Sequence, residues 1–220
     1  MKKIIFLVFV TGLTLFLLFR KDLNRRLQAR TAEKRINEYL LRKYQNGDII
    51  FHASKSSQSK AVQFATNSQY SHMGIIYEKN EELYVYEAVQ PVKLTKFENW
   101  IKRGKDSHFV VKRLKESNRV LNTENLIRLK KAGEKYKDKD YDLYFGWSDD
   151  KIYCSELVWK MYKEALNIEL GSLQKLKEFN LNNKFVKKKM EERYGNKIPL
   201  NEKVISPSAI FESNKLETVI

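Results

Sequence analysis

The chain has 220 residues, 42% of them hydrophobic and 12% aromatic, so it can bury a core and is not a disordered chain. Its formal net charge is +15, but the basic residues are scattered and no zinc-finger or RNA-binding signature accompanies them, so no nucleic-acid partner is expected. The single cysteine, Cys154, excludes an intramolecular disulfide and a cysteine-based metal cluster, and neither a metal nor another cofactor is expected.

The amino terminus resembles a membrane anchor. Two lysines precede an uncharged run from Ile4 to Phe19, which would span about 24 Å as a helix. No small-residue cleavage site follows the run, so residues 1–22 are predicted to be an uncleaved anchor that holds the protein at a membrane. Basic residues lie on both sides of the run and leave its orientation open.

Residues 23–45 carry apolar side chains at helical spacing in a basic background, which predicts a helical linker. The turn dipeptide Asn46-Gly47 then begins the predicted catalytic domain, residues 46–220.

The first half of this domain is rich in predicted strands. A buried strand over 48–53 and a short helix over 56–66 precede two strands, 70–77 and 82–89, whose polar connection predicts a β-hairpin. A further strand is predicted over 109–114.

The second half is predicted to be mostly helical. Helices are expected over 123–136 and 154–166 and around 173–179 and 184–194, with an aromatic loop at 141–150. Strands followed by helices indicate an α+β domain.

The predicted hairpin brings an ionisable pair together. If its loop has two residues (Lys79-Asn80) or four (Glu78 to Glu81), His72 lies directly opposite Glu87 on one face of the sheet, and that face is otherwise apolar. The acid can then orient the imidazole and stabilise its cationic form. His52 and His108 are rival candidates for a catalytic histidine, and Glu87 has the alternative of a solvent-facing acid.

Cys154 stands where the aromatic loop turns into the clearest helix of the chain. Leu157 and Val158 begin the inward stripe of that helix, so the thiol faces the core from the first turn. Amides at a helix amino terminus favour a thiolate and can bind an oxyanion. Inert core filler is the alternative for this cysteine, and packing is the alternative to an oxyanion role for Tyr153.

These motifs resemble those of the YaeF/YiiX-type permuted papain-like amidases, which belong to the NlpC-type cysteine peptidase superfamily. The similar segments cover most of the chain beyond Gly47 and are Gly47-Asp48-Ile49-Ile50-Phe51, Tyr70-Ser71-His72-Met73-Gly74, Tyr86-Glu87-Ala88, Tyr141-Asp142, Trp147-Ser148-Asp149-Asp150, Tyr153-Cys154-Ser155-Glu156-Leu157-Val158-Trp159 and Ile205-Ser206-Pro207.

The resemblance implies a circularly permuted papain-like fold, in which an antiparallel sheet carrying His72 and Glu87 packs against the helix that begins at Cys154. It also implies the roles of nucleophile for Cys154, base for His72 and third polar residue for Glu87, and it favours the cell envelope over the cytoplasm.

The expected function is thiol-dependent hydrolysis of an amide in a cell-wall peptide or a lipid. A lipid acyltransferase or thioesterase-like enzyme and a non-catalytic envelope binding module remain the alternatives.

Overall fold

The computed structural model describes residues 17–219 in full and residues 2–16 by their helical backbone. The chain divides into two compact units, residues 1–42 and residues 43–220. The helices, in chain order, are α1 (Lys2–Lys43), α2 (Ser57–Thr66), α3 (Phe97–Arg103), α4 (Ser117–Val120), α5 (Thr123–Glu134), α6 (Cys154–Leu166), α7 (Lys184–Tyr194) and α8 (Pro207–Phe211). The strands are β1 (Ile49–His52), β2 (His72–Lys79), β3 (Glu82–Glu87), β4 (Lys93–Lys96), β5 (Val110–Leu114), β6 (Gln174–Lys175), β7 (Lys203–Val204) and β8 (Leu216–Thr218).

The first unit consists of α1, which continues from the predicted anchor through the predicted linker without a break. Within the described residues, no helix is long and apolar enough to cross a membrane. The predicted anchor is therefore not supported by the structure. The side chains of residues 4–16, which make up most of its apolar run, lie outside the described part of the chain.

The second unit is built on one antiparallel sheet with the strand order β4-β3-β2-β1-β5-β8. β6 and β7 form a separate two-stranded sheet. The α+β class is confirmed, and so is the antiparallel sheet. The helix predicted around residues 173–179 is wrong, because that segment forms β6 followed by a single 3₁₀ turn, Leu176–Glu178.

The hairpin of β2 and β3 has the predicted even loop but a different register. Its two loop residues are Asn80 and Glu81, whose φ angles of 54° and 60° are those of a type I′ turn. Asn tolerates a positive φ at the first of these positions, so the turn centres one residue later than Lys79-Asn80. Ile75 pairs with Tyr86, so Glu87 lies opposite Gly74 and only diagonally from His72. The predicted direct pairing is wrong, while the shared face is retained.

Both faces of the sheet are buried. Ile49, Phe51 and Met73 belong to the main core, together with the inward stripe of α6. Alternate residues such as Ile50 and Ile76 are also fully buried, on the other face. His72 and Glu87 lie on this second face, whereas α6 packs against the first face. The pair was expected on the face that packs against the helix. His72 is the first residue of β2, so it lies at the end of the sheet.

α6 is almost entirely buried because its apolar stripe and its flanks both meet protein. Leu157, Val158 and Met161 are fully buried in the core. The helix begins at Cys154, as predicted, and ends where Asn167 takes a left-handed conformation with φ 54°. This burial fixes the position of the first turn, and therefore of the thiol.

Replacing Gly74 by Ala is expected to destabilise the second unit by about 1–3 kcal/mol, the usual cost of overpacking. A Cβ at Gly74 would clash with Cγ1 of Val85 and would lie 2.7 Å from the backbone oxygen of Tyr86, which cannot rotate away. Gly146→Ala is the control, because its Cβ would only meet a carboxylate oxygen of Asp142 at 3.4 Å. Urea unfolding measures the difference, and equal midpoints for the two variants would show that the hairpin yields at Gly74.

Candidate active site

The carboxylate of Glu87 binds the imidazole of His72. Nε2 of His72 and Oε2 of Glu87 are 2.6 Å apart, and the Glu87 side chain is fully buried. Oε1 of Glu87 accepts hydrogen bonds from Thr95 and Arg103. Burial alone would raise the pKa of Glu87, but His72, Arg103 and Thr95 together lower it to about 2. The acid is therefore a fixed negative charge beside the ring.

Cys154 contacts the other side of that imidazole. The thiol is buried at the first residue of α6, and its charge acts on His72. Because Nε2 is bonded to Glu87, Nδ1 is the ring nitrogen left for the thiol. Burial would lower the pKa of His72, but the charge of Cys154 and hydrogen bonds to Cys154 and Glu87 raise it to about 9. The arrangement favours an imidazolium held beside the carboxylate of Glu87.

Tyr141 is the site residue that the sequence did not single out. It is held by a parallel bridge to Ile152, and its amide donates to Oε1 of Gln90 at 2.8 Å. It lines the same cavity as Cys154. Burial, with Cys154 second, raises the pKa of Tyr141 well above its usual value, so the phenol stays a hydrogen-bond donor. Its place in a matched motif was the only signal in the sequence.

The Tyr153 hydroxyl has a different partner. It accepts a hydrogen bond from the amide of Ile205 at 3.1 Å, and its buried ring meets Phe145 edge-on at 5.2 Å. Of the two tyrosines, Tyr141 lies near the thiol. The hydroxyl of Tyr153 instead binds the backbone amide of Ile205 in the core.

The two rival histidines lie in different surroundings. His52 pairs with His72 across β1 and β2, and its ring stacks on Trp100 with centroids 3.8 Å apart. Burial, helped by the charges of His72 and Arg103, lowers the pKa of His52 to about 3, so it remains neutral. His108 is exposed in the loop before β5. Glu87 bonds to neither ring.

A partly buried ion cluster supports the start of α6. Nζ of Lys160 lies 2.7 Å from Oδ1 of Asp149 and 2.8 Å from Oε1 of Glu156. It also donates to the backbone oxygen of Ser148. Burial raises the pKa of Glu156 to about 7 although Lys160 opposes the shift. The cluster ties the aromatic loop to the helix that carries Cys154.

Two spaces adjoin these residues. A cleft of about 500 Å³ is lined by His72, Tyr141 and Ser71, among others. A smaller cavity of about 70 Å³ is lined by Cys154, and Tyr141 and Ser71 lie in the walls of both. A substrate in the cleft would therefore reach His72, with Cys154 in the adjoining cavity.

A thiol at a helix amino terminus, an imidazole on a neighbouring sheet and a carboxylate behind it match the arrangement of groups in papain-like cysteine hydrolases. In this chain the histidine and the acid precede the cysteine, which is the permuted order. The chain belongs to the family described as permuted papain-like amidase enzymes, YaeF/YiiX, whose model matches residues 43–220.

Two similar proteins bear the name YiiX, which the family description also contains. The curated protein named "Uncharacterized protein YiiX" from Escherichia coli is 48% identical over 175 residues, which are 80% of this chain and 85% of that protein. The crystal structure described as that of metalloprotein yiiX, also from Escherichia coli, matches with a TM-score of 0.78 and 48% identity, over 81% of this chain and 97% of that one.

The description of the second relative raises the question of a metal site in this chain. Among the described residues, no group of three or more His, Cys, Asp or Glu side chains is placed to hold a metal ion. Glu87 and His72 hydrogen-bond to each other, and Glu87 also binds Arg103. Both side chains are therefore engaged with protein partners in this structure.

Proposed function

We propose that the protein is a thiol-dependent hydrolase that cleaves an amide bond through an acyl-enzyme on Cys154. The observation that carries this proposal is the His72–Glu87 pair at the edge of a cleft, with Cys154 close enough for its charge to act on His72. Membership of an amidase family supports it.

In the acylation step, His72 takes the proton of the thiol and the sulfur attacks the carbonyl carbon. The resulting oxyanion meets the free amides of the first turn of α6 and the hydroxyl of Tyr141. The C–N bond then breaks, and the imidazolium of His72 gives its proton to the leaving amine.

In the deacylation step, His72 removes a proton from water, and the hydroxide attacks the thioester. The C–S bond breaks, the carboxylic acid leaves, and the proton returns to the sulfur. Glu87 stays ionised throughout and holds the ring so that one nitrogen faces the thiol.

A reporter ester tests the proposal without knowledge of the natural substrate. Native protein mixed with p-nitrophenyl acetate is expected to release nitrophenol continuously and to carry a transient acetyl group on Cys154, seen by intact-mass and peptide mass spectrometry. Cys154→Ser is expected to lose at least about 99% of the release, since a hydroxyl is a much weaker nucleophile here.

Two results would distinguish this hydrolase from a transferase and from a non-catalytic binding module. An acetyl group that persists until an amine or alcohol is added would indicate a transferase instead of a hydrolase. No acetylation of native Cys154, with Cys154→Ser releasing nitrophenol as fast as the native protein, would contradict catalysis and favour the binding module.

A further inference from the structure

The cavity beside Cys154 has an apolar wall and a small volume. Side chains of α2 and α7, among them Ala61, Val186 and Met190, form much of the wall. Its volume is about 70 Å³. Since a cavity of about 150 Å³ holds benzene, this space suits a compact group of roughly three or four carbon atoms. A long fatty-acyl chain would extend beyond it.

Arg193 places a positive charge at the same cavity. Its guanidinium donates to Oε1 of Gln58 and lies over the ring of Phe145, 5.3 Å from the centroid. Its charge also acts on the hydroxyl of Tyr141, so it lies near the thiol.

The charge of Arg193 has no acidic partner within ion-pair distance in the described part of the chain. Lys189, which also lines the cavity, is paired with Glu192 at 2.6 Å. A guanidinium held by a neutral amide and an aromatic ring keeps donors available, and its fork matches a carboxylate.

We propose that the cavity binds a short aliphatic group of the substrate and that Arg193 binds a carboxylate next to that group. The inference rests on the proposed function. It narrows the substrates to amides that carry a short aliphatic group with a carboxylate next to it. A long-chain lipid amide would place most of its chain outside the cavity. Two interactions would hold the scissile carbonyl beside Cys154: the aliphatic group is buried in the cavity, and Arg193 attracts the carboxylate.

The test uses alkylating reagents that share one reactive group and differ in the attached chain. N-iodoacetyl-leucine carries both features, N-iodoacetyl-glycine lacks the aliphatic group, N-iodoacetyl-leucinamide lacks the charge, and N-dodecyl-iodoacetamide carries a long chain. Each rate on native Cys154 is divided by the rate on urea-denatured protein. We expect the leucine reagent to exceed each of the others at least about fivefold, given about 0.8 kcal/mol per buried methylene.

Matched variants assign the two features to residues. Ala61→Leu fills the cavity and is expected to make the leucine reagent react no faster than the glycine reagent. Lys60→Leu adds the same side chain on the exposed face of α2 and is expected to leave the difference in rate unchanged. Arg193→Gln is expected to remove the advantage of leucine over leucinamide, whereas Arg128→Gln, an exposed arginine of α5, keeps it. Circular dichroism checks that each variant is folded.

The outcomes separate this inference from the proposed function. A reactive thiol that shows equal rates with all four reagents, or its fastest rate with the dodecyl reagent, would overturn the cavity assignment and leave catalysis intact. If native Cys154 reacts no faster than the denatured thiol but keeps the order of the reagents, the binding site stands and the proposed chemistry fails. The reagent series on the unmodified protein decides the matter even if Ala61→Leu does not fold.

Discussion

Native Cys154 is expected to react with iodoacetamide at pH 6 at least about tenfold faster than the same thiol in denatured protein. A free cysteine with a pKa of about 8.5 is only about 0.3% thiolate at that pH. In the folded protein the imidazolium of His72 and the amides at the start of α6 both stabilise a thiolate. Intact-mass spectrometry over time gives the two rates.

His72→Ala is expected to cancel most of this acceleration, because it removes the positive charge that contacts the sulfur. His108→Ala is the matched control, since that histidine is exposed and outside the site. Equal slowing by both variants would point to a loss of folding, and no slowing by His72→Ala would leave Cys154 as a buried thiol without a base.

The α6 helix could be predicted from the sequence because its signals are local. The apolar spacing of Leu157, Val158 and Met161 fixes one buried stripe, and Cys154 precedes it by less than one turn. The face shared by His72 and Glu87 was also predictable, because side chains alternate along a strand and an even loop preserves that alternation.

The register of the hairpin was not predictable from alternation alone. Loops centred on neighbouring pairs of residues give the same parity, and only the conformation of Asn80 and Glu81 distinguishes them. Gly74 allows the two side chains to meet despite the shifted register. Without a Cβ it leaves the space through which Glu87 reaches His72 diagonally.

The residues that complete the site come from distant segments with weak local patterns. Tyr141 lies in a loop, and Arg193 lies on the last turns of a helix whose charged sequence gave no sign of an inward face. α3, which supplies Trp100 and Arg103, was not predicted at all. Their positions depend on how loops fold over the sheet, which a single sequence does not encode in any local period.

Replacing Glu87 by Gln is expected to lower the pKa of His72 from about 9 by about one unit or more, because the carboxylate stabilises the imidazolium by charge and by a hydrogen bond. One unit corresponds to about 1.4 kcal/mol. Nuclear magnetic resonance of the imidazole rings follows the titration, and His108 serves as an exposed reference. Glu82→Gln, an exposed acid at the start of β3, is the control and should leave His72 unchanged.

The same substitution changes how stability depends on pH. A raised folded-state pKa means that His72 stabilises the fold fully below its ordinary value of about 6.5 and that this stabilisation is lost as the pH rises through about 9. In Glu87→Gln that loss should be smaller and complete at a lower pH. Urea unfolding between pH 6 and 10 measures it. If the variant keeps both the His72 titration and the original pH profile, the carboxylate does not support the imidazolium, and the charge of Cys154 alone would have to account for the raised pKa.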